Sequence, residues 1–369
     1  MPQPLSPTEL EHIVPGLAIA PLAREDLDAA QAHLDNLTKP RGSLGRLEVL
    51  ARRLYAMSRG QTPLAVSPAL MLTVAGDHGV AAQGVSPVPQ VVTRQMVHNF
   101  LNGGAAVNVL CRASGLDFRV VDAGCAGGPY EPHPMLLDRR LGEGTADISQ
   151  GPAMSRATCL QGLQTGVELA RDFARQGYRC LGTGEMGIAN STSAAALYCA
   201  LLNAAPERMT GPGAGADAAM VRHKISVVRT ALDINKSLTR SGDPVDILAA
   251  LGGFEITVMA GIMLGAASQR LPVLVDGFIC GAAYAVALRL CPPLADYAVL
   301  AHMSAEPGHT PAMHSLTAGT PANAPLLHLD MRLGEGTGGA VAYHLLRCAA
   351  AIYTDMATFD SAGVAGKSC

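Results

Sequence analysis

The chain has little of what marks nucleic-acid or membrane partners. It has no tryptophan, 4% aromatic and 15% charged residues in 369, and no basic run longer than a pair. A net charge of −3 leaves no electrostatic footprint for nucleic acid or an anionic membrane. We therefore expect small-molecule substrates and neither of those partners.

Disulfide, export and membrane signals are also missing. The nine cysteines include no CxxC pair, which is typical of reduced thiols in a cytoplasmic protein. Residues 1–12 lack the basic and apolar regions of an export signal. The apolar stretches at 256–267 and 278–288 are shorter than the roughly 20 residues of a spanning helix, so they predict buried helices.

Several catalytic motifs are absent. There is no G-x-x-x-x-G-K-[ST], no G-x-S-x-G, and no paired-acid loop of the ordinary phosphoribosyl-pyrophosphate enzymes, so kinases, hydrolases and those transferases lose support. The loops AGDHGV and HMSAEPGHTPAMH carry histidines without zinc-ligand spacing. We expect hydrogen-bonded loop histidines and neither a metal nor another cofactor.

What the chain does have is glycine and small aliphatic residues, with 40 glycines and 49% hydrophobic residues. After residue 68, short apolar runs end in glycine-containing loops and alternate with amphipathic stretches. This alternation predicts an α/β fold, with a Rossmann-like parallel sheet and helices on both faces. The predicted strand–loop joints are LMLTVAGDHG, FRVVDAGCAGG, YRCLGTGEMG, PVLVDGF and YAVLAHMSAEPGH.

Helical spacing predicts a helical N-terminal arm at 22–57, helices at 158–176, 190–202 and 218–232, and a C-terminal helix after residue 338. The predicted buried stripes are Leu160, Leu163, Val167, Ala170 and Ala174 at 158–176; Val221, Ile225, Val228 and Leu232 at 218–232; and Val341, Leu345, Cys348, Ile352 and Met356 in the last helix. The expected organisation is a small helical domain from 1–65 and 331–369 around a large α/β domain at 66–330.

Two glycine-rich stretches precede predicted helices. GTGEMG (182–187) matches a dinucleotide loop, although Glu185 would place a negative charge beside a pyrophosphate. A smaller phosphorylated ligand at Gly187, Asn190, Ser191 and Thr192, or a plain helix start, are the alternatives.

The second stretch, TGPGAGAD, offers Gly213 and Gly215 as anion-loop residues. Lys224 follows on the helix, either facing a ligand or snorkelling along the surface. Asp276 follows the strand PVLVD, either as a substrate carboxylate or as a cap for the next helix.

Together, KPRGSLGRLE (39–48), AGDHGV (75–80), GVSPVPQVVTRQMV (84–97), GEMGIANSTSAAA (184–196), GGFEI (252–256), VDGFI (275–279), SAEPGH (304–309) and MRLGEGTGG (331–339) closely resemble the nicotinate-nucleotide:dimethylbenzimidazole phosphoribosyltransferase family. The resemblance implies transfer of the phosphoribosyl group of nicotinate mononucleotide to 5,6-dimethylbenzimidazole in cobalamin biosynthesis, by a homodimer. The rivals are an NAD-dependent oxidoreductase using GTGEMG and a non-catalytic binder of benzimidazole ribosides.

The resemblance also implies site residues. Glu335 is the general base; Glu185, Lys224 and Asp276 lie in the substrate cavity; Ser86, Gln95 and Leu333 line the benzimidazole pocket. The family pattern has glycine where Ala189 stands and a hydroxyl residue where Ala214 stands.

The sequence LGEGT occurs at 141–145 and again at 333–337. We expect the glycines beside Glu335, which follow a strand-like LLHLD segment, to open an exposed carboxylate to a flat aromatic ligand. Glu143, in the first copy, is expected to have no catalytic role.

Overall fold

The computed structural model describes residues 13–318 and 323–365. The export-signal prediction for residues 1–12 and Cys369 lie outside this range. Six parallel strands form one sheet in the order β3-β2-β1-β4-β5-β6. The strands are β1 (Ala69–Gly76), β2 (Asp117–Gly124), β3 (Leu136–Asp138), β4 (Cys180–Met186), β5 (Val273–Val275) and β6 (Ala298–Leu300).

The described helices are α1 (Arg24–Asn36), α2 (Arg46–Met57), α3 (Val91–Leu101), α4 (Ala106–Ser114), α5 (Arg156–Arg175), α6 (Asn190–Leu202), α7 (Pro206–Met209), α8 (Ala218–Ile234), α9 (Lys236–Thr239), α10 (Pro244–Leu251), α11 (Phe254–Ser268), α12 (Phe278–Leu290), α13 (His309–Leu316), α14 (Thr337–Asp355) and α15 (Phe359–Ala362). Two 3₁₀ turns cover Gly79–Gln83 and Pro292–Asp296.

The sheet is buried between helical layers. Every residue of β1 is buried, which requires cover on both faces. Helices α11 and α12 pack on β4 and β5. Helix α3 contacts β1, β2 and β4, α4 contacts β2, and α14 contacts β4 and β5. The α/β fold expected from the sequence is confirmed.

Glycine allows helices α5 and α11 to approach closely. A Cβ on Gly166 of α5 would lie 2.2 Å from the Val258 oxygen of α11, and one on Gly261 would lie 2.2 Å from the Leu163 oxygen. These side-chain-free positions let the helix backbones touch, which explains part of the high glycine content.

The five predicted strand–loop joints coincide with β1, β2, β4, β5 and β6, and β3, of three residues, was not predicted. The strand expected at LLHLD is wrong: this segment makes only an isolated bridge between Leu327 and His302. The helices expected at 158–176 and 218–232 are confirmed within two residues at each end.

Two predicted buried stripes are wrong in rotation. The buried face of α8 is Lys224, Val227, Val228 and Ala231, and that of α14 includes Ala342, Tyr343, Leu346, Ala349 and Tyr353. In both helices the predicted residues are mostly half-buried, as Val221, Ile225, Leu345 and Ile352 are. In α5 the predicted stripe is only partly right, since Gly162, Gly166 and Phe173 are buried but Leu160 is not.

The terminal segments of the chain pack together. Helix α2 packs on α14, the Thr38 nitrogen donates to the Ala357 oxygen at 3.0 Å, and the His33 ring bonds the Tyr353 oxygen. The domain boundaries at 65 and 330 stay predictions.

Among the described residues all eight cysteines are free, and seven of them are buried. No described helix is both long and apolar enough to cross a membrane. Within the same residues, no cluster of three His, Cys, Asp or Glu is arranged to hold a metal ion.

Candidate active site

A cavity of about 650 Å³ opens beyond the carboxyl ends of β4, β5 and β6, the usual place for ligands in a parallel sheet. It collects many of the residues that the sequence proposed: Ser86, Glu185, Gly187, Asn190, Ser191, Gly213, Lys224, Asp276, Leu333 and Glu335. It also takes in residues that were not proposed, including Met96, Met186, His302, Ser304, Glu306 and Arg332.

Three proposed residues lie outside the lining. Gln95 is exposed on α3 beside Met96, and Gly215 is exposed beyond the turn of its loop. Thr192 is buried in the first turn of α6, and its Oγ1 has no hydrogen-bond partner. Their assignment to substrate binding stays a prediction.

The loop that carries Glu335 has an uncommon backbone. Gly334, Glu335 and Gly336 have φ of 86°, 64° and 100°, and a left-handed conformation is rare for a residue with a side chain. The Glu335 oxygen accepts a hydrogen bond from Thr73 Oγ1 at 2.7 Å. A strained glutamate persists only where its surroundings determine it, as at active sites.

Asp276 anchors this loop through two hydrogen bonds from backbone nitrogens. Its Oδ2 accepts from the Gly336 nitrogen at 3.1 Å and its Oδ1 from the Gly339 nitrogen at 3.0 Å. Asp276 therefore satisfies the amino-terminal nitrogens of α14. The expectation of a cap for the next helix, α12, is wrong, because the capped helix comes 60 residues later in the chain.

The glycines beside Glu335 serve close packing. A Cβ on Gly334 would lie 2.1 Å from Glu185 Oε1, and one on Gly336 would lie 2.6 Å from the Met71 sulfur. On the strand below, a Cβ on Gly184 would lie 2.1 Å from the Glu335 oxygen. The loop therefore lies directly on β1 and β4, while Leu333, Gly334 and Glu335 also line the cavity; the approach of a flat aromatic ligand to these glycines stays a prediction.

The Glu335 side chain is buried, with 6% of its surface exposed, which corrects the expectation of an exposed carboxylate. Its Oε2 accepts from the Val107 nitrogen, in the first turn of α4, at 3.3 Å. Burial raises the pKa of Glu335, with a further rise from Asp276, against the lowering effect of the Val107 hydrogen bond. A buried carboxylate with a raised pKa is a stronger base than a solvated one.

Glu185 lies beside this loop. Its Oε2 accepts a hydrogen bond from Asn190 Nδ2. Burial raises the pKa of Glu185 to about 8, and the charges of Asp276, Glu255 and Glu335 add to the rise. Burial therefore disfavours the negative charge that the sequence suggests within GTGEMG.

The dinucleotide interpretation of GTGEMG fails for a different reason. Gly182 and Gly184 lie inside β4, where Gly182 packs against Met71. A dinucleotide fingerprint needs its first glycines in the turn after the strand, where the backbone meets the pyrophosphate. Only Gly187 follows the strand here.

The cavity lining also carries a buried lysine. Lys224 Nζ donates to Ser191 Oγ and to the Gly211 oxygen, both at 3.0 Å. The side chain is buried, which rules out the snorkelling interpretation. Burial lowers the pKa of Lys224, and the negative charge of Glu306 opposes this effect.

The amino terminus of α6 opens beside Lys224 and suits an anion. It starts at Ala189, whose φ is 74°. Glycine adopts this conformation at lower cost, and the regular helix begins one residue later, at Asn190.

Glu306 was missed by the sequence analysis. It is buried, and both of its oxygens accept from the Gly213 nitrogen, at 3.1 and 3.3 Å. The amide of Gly213 is thus engaged by the protein itself. The motif SAEPGH contains Glu306, but nothing in the sequence shows that this loop faces a distant glycine turn.

Two of the four loop histidines, His78 and His309, are hydrogen-bonded as expected, whereas His302 Nδ1 has no partner among the described residues and His314 is exposed. His78 joins Ser193 Oγ at 3.0 Å and Glu255 Oε1 at 2.7 Å in a fully buried chain beneath α6. His309 Nδ1 accepts from the Ser304 nitrogen at 2.7 Å, and burial lowers the pKa of His309 to about 3. His302 Nε2 lies 3.6 Å from Asp276 Oδ1.

The first LGEGT copy lies elsewhere. Its backbone pairs with the ends of β1 and β2, through Gly144 nitrogen to Gly124 oxygen and Thr145 nitrogen to Asp77 oxygen. The Glu143 side chain is 65% exposed and pairs with Arg140 at 3.2 Å. The two copies share a sequence and no common environment.

Comparison with known proteins agrees with this geometry. A family model described as a phosphoribosyltransferase matches residues 19–364. The nicotinate-nucleotide–dimethylbenzimidazole phosphoribosyltransferase of Nitratidesulfovibrio vulgaris (strain DP4) is 57% identical over 347 residues, 94% of this chain and 96% of that protein. The enzyme of the same name from Pelodictyon phaeoclathratiforme is 49% identical, over 95% of this chain and 96% of its own.

The solved structures give the same answer. The crystal structure of CobT from Thermus thermophilus superimposes with a TM-score of 0.87 at 41% identity, covering 93% of this chain and 100% of that one. Sequence and fold agree over nearly the whole length, so this chain belongs to the nicotinate-nucleotide–dimethylbenzimidazole phosphoribosyltransferase family.

Proposed function

We propose that this enzyme transfers the phosphoribosyl group of nicotinate mononucleotide to 5,6-dimethylbenzimidazole, giving α-ribazole 5′-phosphate and nicotinate for cobalamin biosynthesis. The observation that carries the proposal is the buried Glu335 carboxylate in the same cavity as the Lys224 amine. A base and a fixed cation in one cavity suit an azole acceptor and a phosphorylated donor.

The chemistry needs one base. A ring nitrogen of the benzimidazole forms a bond to C1′ of the ribose, while the bond from C1′ to the pyridinium nitrogen breaks. The bonding pair returns to the pyridine ring, which neutralises its charge, so no general acid is required. The other benzimidazole nitrogen then carries a surplus proton, and Glu335 accepts it.

The remaining cavity residues take supporting roles. Lys224, with Ser191 and the first turn of α6, binds the 5′-phosphate. Ser86, Met96 and Leu333 form the mixed wall of the benzimidazole slot. Asp276 fixes the Glu335 loop through Gly336 and Gly339, which keeps the base in a reactive position.

Glu185 would meet the pyridinium end of the donor. A neighbouring positive charge favours the ionised carboxylate, so binding of the positively charged ring would favour release of the Glu185 proton to solvent water. The ring loses its positive charge when its bond to C1′ breaks. Its attraction to the ionised Glu185 then weakens, so nicotinate leaves more readily.

The direct test is incubation of the protein with nicotinate mononucleotide and dimethylbenzimidazole, followed by chromatography for free nicotinate and the ribazole phosphate. Formation of both supports the proposal. Tight NAD binding without nicotinate release would favour the rival oxidoreductase, and ligand binding without turnover would favour the binder. Competition among benzimidazole, adenine and phenolic acceptors, scored by kcat/KM, then measures the choice of base.

We further infer that the enzyme is a homodimer of the cytoplasm. Leu329 is 53% exposed, and Leu333, which lines the cavity, is 58% exposed; a second subunit would cover both side chains. The free thiols suit a reducing compartment. Light scattering at about twice the 38.0 kDa chain mass supports the dimer, whereas a monomeric mass rejects it; cell fractionation tests the location.

A further inference from the structure

A second cavity, of about 420 Å³, lies at the other end of the strands from the candidate active site. Its walls come from the end of α2 and the segment up to Ala65, and from the residues just before β4 and β5. It therefore opens at the amino ends of the strands, away from the candidate active site. Its volume is within the range of small-molecule sites.

The rim of this cavity is positive. Arg59, Arg179 and Arg270 line it, and no aspartate or glutamate does. Its floor is apolar, from side chains such as Leu54, Met57, Leu64 and Leu271. A positive rim over an apolar floor matches a small organic anion in charge and in shape.

One of the three guanidinium groups is fixed. Arg270 donates through Nε to the Met57 oxygen at 2.9 Å, through Nη2 to the Ala56 oxygen and through Nη1 to the Tyr297 hydroxyl at 3.2 Å. A guanidinium has five N–H groups, so two remain for another acceptor. This charge is held in place before any ligand arrives.

The other two are uncommitted. Within residues 13–318 and 323–365, the guanidinium groups of Arg59 and Arg179 make neither a hydrogen bond nor an ion pair. Exposed arginines often lack partners, but these two share one cavity with a third cation and no acidic neighbour on its lining. Their N–H groups are therefore available to an anion in the cavity.

The backbone of Arg59 adds an independent observation. Arg59 and Arg270 follow the ends of α2 and α11 with φ of 55° and 58°, a position where glycine is usual. Arg270 has a visible reason, since its side chain binds the last carbonyls of α2. Because Arg270 occupies those carbonyls, attraction to the carboxyl end of α2 does not explain why an arginine stands at position 59.

We propose that this cavity binds a small organic anion, with a phosphate or carboxylate gripped by Arg59, Arg179 and Arg270 and an apolar body on the floor. Guanidinium groups favour both anions because two N–H groups meet two oxygens. The site is separate from catalysis, so the inference does not depend on the proposed function.

The test is isothermal titration of the whole protein with three probes: inorganic phosphate, nicotinate and nicotinate mononucleotide. The variant Arg59→Gln/Arg179→Gln removes two charges from the rim. The matched control, Arg208→Gln/Arg240→Gln, removes two exposed arginines elsewhere. We expect at least one probe to show a site that weakens more than about tenfold in the first variant and is unchanged in the control.

The probes separate the sources of the anion. Binding of phosphate and the mononucleotide assigns a phosphate site, and binding of nicotinate assigns a carboxylate site. Turnover and melting temperature of the rim variant should match wild type. The inference is overturned if no probe shows an arginine-dependent site, or if the only site detected weakens with Lys224→Met, which marks it as the active-site cavity.

Discussion

Glu335 combines a left-handed backbone, a buried carboxylate and one hydrogen bond to Val107. Replacing it with glutamine keeps its size and removes its basicity. We expect Glu335→Gln to lower turnover by about 10² to 10⁴ while both substrates still bind. Nicotinate release and equilibrium binding measure the two effects separately.

The first LGEGT copy supplies the control for that experiment. Glu143 is largely exposed and has only the Arg140 ion pair, which contributes little at a surface. Glu143→Gln should be nearly silent in nicotinate release. Equal losses in both variants, or a larger loss at Glu143, would remove Glu335 as the base.

Lys224 brings a buried positive charge to the cavity lining. Lys224→Met keeps the apolar stem and removes the charge, so we expect weaker use of nicotinate mononucleotide, seen as a raised KM. Lys236→Met, which removes an exposed lysine, is the control. Kinetics equal to wild type would show that the charge does not serve the nucleotide.

Glu185 gives a prediction about pH. Its pKa is raised from 4.5 to about 8 in the folded protein, so the folded state keeps a proton that the unfolded state has lost. Stability attributable to this residue therefore falls as pH rises from about 4.5 to about 8. We expect the Glu185→Gln variant to gain melting temperature over wild type at pH 8 and not at pH 5.

The matched control for this comparison is Glu131→Gln, which neutralises an exposed carboxylate. Because each variant is compared with wild type at the same pH, titrating groups that do not interact with Glu185 cancel. A Glu185→Gln difference that is constant between pH 5 and pH 8 would contradict a raised pKa.

At the scale of elements, the site depends on how closely the Glu335 loop lies on β4. A Cβ on Gly184 would fall 2.1 Å from the Glu335 oxygen, so Gly184→Ala must push the loop away from the sheet. We expect a loss of about 1–3 kcal/mol in unfolding free energy and a drop in turnover. Urea unfolding and nicotinate release test both.

Gly151→Ala is the control, because a Cβ there meets nothing within 4 Å and the residue lies in a turn. Its stability and turnover should match wild type. If Gly184→Ala has full turnover, the base does not depend on contact between the loop and β4.

Five of the six strands and most of the long helices followed from the sequence, because apolar periodicity and glycine-ended runs report strands and helices directly. Their rotation did not. In α8 the sequence favours a stripe through Val221 and Ile225, but the structure turns Lys224 and Ala231 inward. Apolar periodicity predicts that the larger apolar side chains are buried. Close packing instead favours small residues, and a ligand cavity can hold a buried charge.

The site residues also divide into those that the sequence predicts and those that only the structure reveals. Glu335, Glu185 and Lys224 were named in advance through the family's motifs, and the cavity collects them. Glu306 was not, because its partner, the Gly213 nitrogen, is 93 residues away in the chain. The anchoring of α14 by Asp276 was also invisible, since it joins the end of β5 to a loop 60 residues later.

For the whole molecule, the decisive question is whether the terminal helices and the sheet unfold together. Helix α14 begins at the Glu335 loop, packs on α2, and also contacts α4, β4 and β5. Its detachment would uncover the buried central strands as well as the active-site loop. We therefore expect one cooperative transition, despite the separate helical domain that the sequence suggests.

Tyr343 tests this coupling. Its hydroxyl donates to the Val66 oxygen at 3.0 Å and lies 2.6 Å from Ser67 Oγ, which ties α14 to the segment entering β1. Tyr343→Phe leaves these polar atoms without their partner, so we expect a loss of about 1–3 kcal/mol in unfolding free energy. Tyr55→Phe, on α2, removes a hydroxyl with no hydrogen bond to the described residues and should cost little.

Two probes of urea unfolding decide the matter. Circular dichroism follows all the helices, and intrinsic tyrosine fluorescence is usable because the chain has no tryptophan. If sheet and terminal helices form one unit, Tyr343→Phe shifts both transitions to lower urea by the same amount, with an unchanged slope. Two separated transitions, or a shift in only one probe, would instead show that the terminal helices form a domain that unfolds by itself.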